Sequence, residues 1–189
     1  MTIVICPGIH DPRITESFLT TWLSVSTYMT NRNNELSIII YPGKGLLSLS
    51  GLHILEFLRD RLADKLKSPV VFISYSAGVV GAISAAMGWQ LLGGQVTAFI
   101  AIDGWGVPLY ANFPIHRLSH DYFTHVSSGL LGSGQSNFYA DPPVEHLAMW
   151  RSPHTVQGYW ADPPSDYSPP KKYLTVAEFL HLILQQYND

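Results

Sequence analysis

One cysteine, few charges and no long apolar run restrict what this 189-residue chain can be. Cys6 alone cannot build an internal disulfide framework or a multi-cysteine metal site. Only 13% of residues are charged, and 11 basic against 14 acidic residues leave a net charge of -3. Without a basic excess, sequence-independent nucleic-acid binding lacks its main driving force. No apolar run approaches the ~20 residues of a membrane span. Met1 to Cys6 has no basic leader region and reads as a first strand rather than a signal peptide, so a cytoplasmic setting is the expectation. Neither an internal repeat nor a His-Glu-x-x-His zinc pattern occurs. Pro42-Gly43-Lys44-Gly45 follows a strand but lacks the earlier Gly and trailing Ser/Thr of a phosphate loop, so it reads as a turn.

What is present is apolar surface. Hydrophobic residues make up 47% of the chain, enough to bury a core. The length fits one domain, residues 1–189. Strand-like runs at Thr2 to Cys6, Leu36 to Tyr41, Pro69 to Tyr75, Val96 to Ile102, Ile115 to Leu118 and Phe138 to Ala140 alternate with helical patterns. One helical stretch begins at Thr15 and carries Phe18, Leu19, Trp22 and Leu23, and Asn31 to Asn34 breaks it. A second has Leu52, Leu55, Leu58 and Leu62 on one face. A small-residue helix runs on to Leu92 and stops at Gly93-Gly94. Thr175, with Glu178 three residues later, forms a capping box for the last helix. The pattern predicts an α/β fold in three layers. A mostly parallel sheet of about six strands is covered by helices on both faces. Ala161 to Pro170 reads as a Pro-rich surface loop.

Ligands meet such a sheet at the carboxyl ends of its strands. Ser76 stands at one, in Ser74-Tyr75-Ser76-Ala77-Gly78, between an apolar strand and a helix of small residues. That is the setting of a nucleophile elbow, whose tight turn demands small residues two before and two after the nucleophile. The plainer role for Ser76 is that of a helix N-cap. With this elbow, the chain resembles the α/β-hydrolase superfamily, and its small lid-less bacterial lipases and esterases in particular. Two further segments carry the resemblance: Val4-Ile5-Cys6-Pro7-Gly8-Ile9-His10-Asp11 and Val144-Glu145-His146-Leu147-Ala148-Met149-Trp150. Pro7 replaces the family's His, and Ser74 the usual first Gly of the elbow.

The resemblance implies an oxyanion hole from the backbone N–H groups of Ile9 and Ala77. It also implies His146 as the base, with His154 as runner-up. His53 and His181 fall on helices and read as structural, while His116, His120 and His125 raise only a weak metal possibility. The fold's chain order places an acid between Ser76 and His146. Asp121, just past the penultimate strand, is the first choice and Asp103, one strand earlier, the alternative. Asp141, before Pro142-Pro143, reads as a turn former. Trp105, Tyr75 and His10 are the candidate substrate contacts. The aromatics of the Gly104–Phe113 segment, together with Tyr159, Trp160, Tyr167 and Tyr173, suit either an acyl pocket or core and dimer contacts. The expected activity is serine hydrolysis of a small-molecule carboxylic ester or thioester through an acyl-enzyme, with no cofactor and no metal. A homodimer stays open, and so does the other class, a non-catalytic binding module on the same fold.

Overall fold

The computed structural model describes residues 1–24, 37–62, 66–161 and 172–187. The expected break at Asn31 to Asn34 and the Pro-rich segment 162–170 lie outside the described residues. Eight strands form one sheet: β1 (Thr2–Cys6), β2 (Ser37–Ile40), β3 (Val70–Tyr75), β4 (Val96–Ile102), β5 (Ile115–Ser119), β6 (Ser136–Ala140), β7 (Gln157–Ala161) and β8 (Lys172–Thr175). Their order is β2-β1-β3-β4-β5-β6-β7-β8. The six expected strands are all present and pair in parallel. The expectation of about six is nevertheless too low, because β7 and β8 extend the sheet by antiparallel pairing. These two strands are aromatic, and Tyr139, Tyr159 and Tyr173 line up across β6, β7 and β8 with ring centroids 5.7 and 5.0 Å apart. Tyr159, Trp160 and Tyr173 are therefore strand residues that flank the Pro-rich stretch.

The helices are α1 (Pro12–Ser24), α2 (Gly51–Leu62), α3 (Ala77–Leu91), α4 (Tyr122–Gly129), α5 (Ala148–Arg151) and α6 (Val176–Gln185). Successive strand residues point to opposite faces of a sheet, and the apolar core divides accordingly. Ile3, Ile5, Val71 and Ile73 join Phe18 and Trp22 of α1 and Phe179 and Ile183 of α6. Val4, Cys6, Val70 and Phe72 join Ile54 and Leu58 of α2 and Val79 and Ile83 of α3. On α2 the buried face is Ile54, Leu58 and Leu62, while Leu52 is exposed, so the helix is rotated from the expected leucine stripe. The continuous apolar run of β2 would suit a strand buried on both faces. It lies at the sheet edge instead, and Ile40 is partly exposed there.

Two features position the site. The chain passes from β1 to β2 on one side and then crosses to β3 on the other. The connections leaving β1 and β3 diverge at their carboxyl ends, which opens a crevice at that point of an open sheet. The second feature is the close seat of α3 against β1. A Cβ on Gly78 would collide with the carbonyl oxygens of Cys6 and Pro7. Only glycine lets α3 start beside the β1 exit.

The last helix begins with the predicted capping box. The Glu178 backbone N–H donates to the Thr175 hydroxyl, and the Thr175 backbone N–H donates to the Glu178 carboxylate at 2.7 Å. That backbone hydrogen bond holds the Glu178 carboxyl below its ordinary value. A carboxyl lowered in the folded state contributes stability above its unfolded value, and loses it as pH falls through the folded one. Thr175→Ala is expected to cost about 1 kcal/mol in denaturant unfolding. The stability difference between wild type and Glu178→Gln should be present at neutral pH and shrink as pH falls below the ordinary carboxylate range and through the lowered Glu178 value.

Candidate active site

Residue 76 adopts φ 52° and ψ -124°, between the end of β3 and the start of α3. Among the described residues only Ser76 and Asp103 have positive φ without being glycine. Such backbone costs of order 1–3 kcal/mol and persists only where its surroundings over-determine it. For Ser76 those surroundings are named. Its N–H donates to the Ile102 carbonyl at 2.9 Å, and its own carbonyl accepts from Val79 N–H at 3.0 Å. A Cβ on Gly8 would lie 3.0 Å from the Ser76 Cβ, so the loop after β1 is pressed against the turn.

The hydroxyl does not cap the helix: Ser76 makes no side-chain cap hydrogen bond to α3. Its Oγ lies 2.9 Å from Nε2 of His146 instead. The other ring nitrogen, Nδ1, lies 2.6 Å from Oδ2 of Asp103. An ionised carboxylate only accepts, so Nδ1 carries the proton and the neutral ring presents Nε2 as the acceptor for the serine hydroxyl.

His146 is held from below by Tyr75. The two rings stack at 5.0 Å, and the phenol donates to the His146 backbone carbonyl at 3.1 Å. Burial pushes the Tyr75 phenol up, with the Asp103 charge adding to the effect, so it remains a donor. Tyr75 in turn stacks on Trp150, and Trp150 on Phe18. With 1% of its surface exposed, Tyr75 is a support for His146 rather than the substrate contact that was expected.

Asp103 ends β4, and its side chain has no exposed surface. Besides His146 it accepts from the His120 backbone N–H at 3.1 Å, and the His120 ring Nδ1 lies 2.8 Å from the carboxylate. Asp121, the first choice for the acid, lies elsewhere. Its carboxylate caps α4 by accepting from Thr124 N–H at 2.6 Å and sits 3.4 Å from Nε2 of His120. Partial burial pushes Asp121 up, but the Thr124 hydrogen bonds and His120 outweigh it and hold the carboxyl below its ordinary value. The physical reason is strand register. β4 and β5 pair in parallel with Ile102 opposite Leu118, so residue 103 comes level with the β5 exit, while Asp121 is already committed to the next helix.

The remaining candidates fall around this centre. Ala77 opens α3, so its N–H belongs to the helix N-terminus, where a positive dipole end favours developing negative charge. Ile9 follows Gly8 and is 54% exposed. Beside it lies a cavity of about 300 Å³ lined by Gly8, Ile9, His10, Ile40, Tyr41 and Lys44 among others. His10 borders that cavity and donates from Nδ1 to the Asp11 carbonyl at 2.9 Å. Trp105 is largely exposed and donates to the Ser127 hydroxyl at 3.1 Å, which ties the loop after β4 to α4. His154 lies in an exposed turn. Asp103, His120 and His146 each offer a ligand atom within 4.8 Å of one another and could hold a metal ion. The 2.6 and 2.8 Å nitrogen–oxygen separations there are those of charge-assisted hydrogen bonds. No protein-family model and no curated protein matches the sequence.

Backbone strain at residue 76 is measurable. Ala normally beats Gly by limiting the unfolded chain, but at positive φ the order reverses. Both Ser76→Gly and Ser76→Ala remove the hydroxyl. Chemical denaturation should therefore find Ser76→Gly the more stable by about 1 kcal/mol.

Proposed function

We propose that the protein is a serine hydrolase of the α/β-hydrolase type, a three-layer domain cleaving a carboxylic ester or thioester of a small molecule. The observation that carries this reading is the unbroken path from Ser76 Oγ through His146 to Asp103, with separations of 2.9 and 2.6 Å. A hydroxyl spent on helix capping would favour a binding module. Ser76 is free of that task.

In this scheme Ser76 Oγ attacks the acyl carbonyl carbon while Nε2 of His146 takes its proton. Asp103 holds the Nδ1–H tautomer and stabilises the imidazolium that forms. The backbone N–H groups of Ile9 and Ala77 receive the tetrahedral oxyanion. The C–O or C–S bond then breaks, His146 protonates the departing alcohol or thiol, and an acyl-serine remains. Water, deprotonated by His146, attacks that acyl-serine, the acyl–Oγ bond breaks as His146 returns the proton to Ser76, and the acid is released. The apolar cavity beside Ile9 suits a modest acyl or leaving group. The scheme uses only the chain's own groups and water.

Wild-type protein is expected to hydrolyse p-nitrophenyl esters and to be labelled by a fluorophosphonate, and Ser76→Ala to lose both. Absence of labelling in the wild type would remove the hydrolase reading. Asp103→Asn should lower kcat by about 10⁴-fold through the wrong imidazole tautomer. Asp121→Asn, which keeps a good N-cap, should stay within about 10-fold of wild type. The opposite ranking would return the acid's role to Asp121.

A further inference from the structure

Asp103 receives more donors than a serine–histidine–aspartate chain requires. His146 approaches Oδ2 from one side, while His120 brings its ring Nδ1 and its own backbone N–H to the same carboxylate. The two imidazoles meet it nearly at right angles, with an interplanar angle of 81°. His120 leaves β5 directly, which fixes its backbone, and its outer nitrogen lies 3.4 Å from the Asp121 carboxylate that caps α4. A fully buried carboxylate that met only one ring could rotate about its side-chain bonds. One also held by a second ring, 2.8 Å from both of its oxygens, and by a backbone amide cannot turn without breaking those hydrogen bonds.

We propose that His120 is a positioning residue for the reaction, a second imidazole that fixes the Asp103 carboxylate and, through it, the aim of His146 at Ser76. The path then runs from His120 through Asp103 and His146 to Ser76. It rests on the hydrolase reading for its functional meaning, but the clamp itself does not need that reading. His120 touches no reacting atom. Its contribution is to keep the base within the narrow geometry that acyl transfer tolerates, where a displacement of about 1 Å costs on the order of 10²-fold in rate.

The test compares His120→Leu, which removes the ring donor, with His120→Asn, whose side-chain amide nitrogen can stand where Nδ1 stood. On a p-nitrophenyl ester, His120→Leu should lose about 10²-fold in kcat with KM changed by no more than about twofold. His120→Asn should recover kcat to within about fivefold of wild type. Proton NMR gives a readout that does not depend on turnover. The downfield His146 Nδ1–H signal of the short hydrogen bond should be present in wild type and His120→Asn, and broadened or lost in His120→Leu. Wild-type kcat in His120→Leu would overturn the proposal, as would an equal loss in both variants or a loss confined to KM. If the wild type shows neither turnover nor fluorophosphonate labelling, the hydrolase reading fails separately. An unchanged Nδ1–H signal in His120→Leu would then still dismiss the clamp. Should His120→Leu fail to fold, His120→Asn alone decides: loss of both kcat and signal in a folded His120→Asn refutes a donor role.

Discussion

A carboxylate with no access to water must find its hydrogen bonds inside the protein or give up its charge. Asp103 is in that position at the end of β4, and much of the surrounding architecture answers the demand. The parallel pairing of β4 with β5 brings the His120 N–H to it, and the segment after β6 brings the His146 ring. Its own backbone adopts φ 55° to present the side chain this way, and the Asp103 N–H is tied to the Leu118 carbonyl at 2.8 Å. The strained turn at Ser76 hangs from the same strand end, through its bond to the Ile102 carbonyl. The two strained residues are thus linked through one pair of neighbouring strands.

A second support comes from aromatic packing. His146 rests on Tyr75, which rests on Trp150, and Phe18 and Trp22 continue the stack to His181 on α6. Trp150 is fully buried and its indole N–H donates to the Thr15 hydroxyl at 3.2 Å, which joins α5 to α1. Stacked rings bury large apolar area with few rotatable bonds. An exposed imidazole on a loop would otherwise sample many orientations. Here its edge is held by a carboxylate and its face by a phenol, so side-chain packing far from the serine contributes to the orientation of the His146 ring.

Much of this arrangement could be read from the amino-acid pattern, and the limits have physical causes. The turn at Ser76 was legible because close approach forces small residues: Gly78 has no room for a Cβ against β1. The Thr175–Glu178 box was legible because capping is local. Local pattern failed wherever lateral strand order mattered. Leu36 to Tyr41 has the composition of a central strand, yet β2 ends at an edge. Which of Asp103 and Asp121 meets His146 depends on how β4 and β5 line up, which no local spacing encodes. β7 and β8 flank a Pro-rich stretch whose composition reads as loop and hides the antiparallel pair. In the sequence His120 stands out only as a weak metal candidate beside His116 and His125. Its place next to Asp121 at a strand exit was the available signal, and it meant nothing until Asp103 was known to stand opposite.

The hydroxyl and the ring that meet at 2.9 Å are 70 residues apart along the chain. Bringing such distant partners together requires closing a long loop, and the side-by-side pairing of β3 through β6 carries the two residues to one end of the sheet. On the proposed hydrolase reading, the serine meets its imidazole only where those four strands are in register.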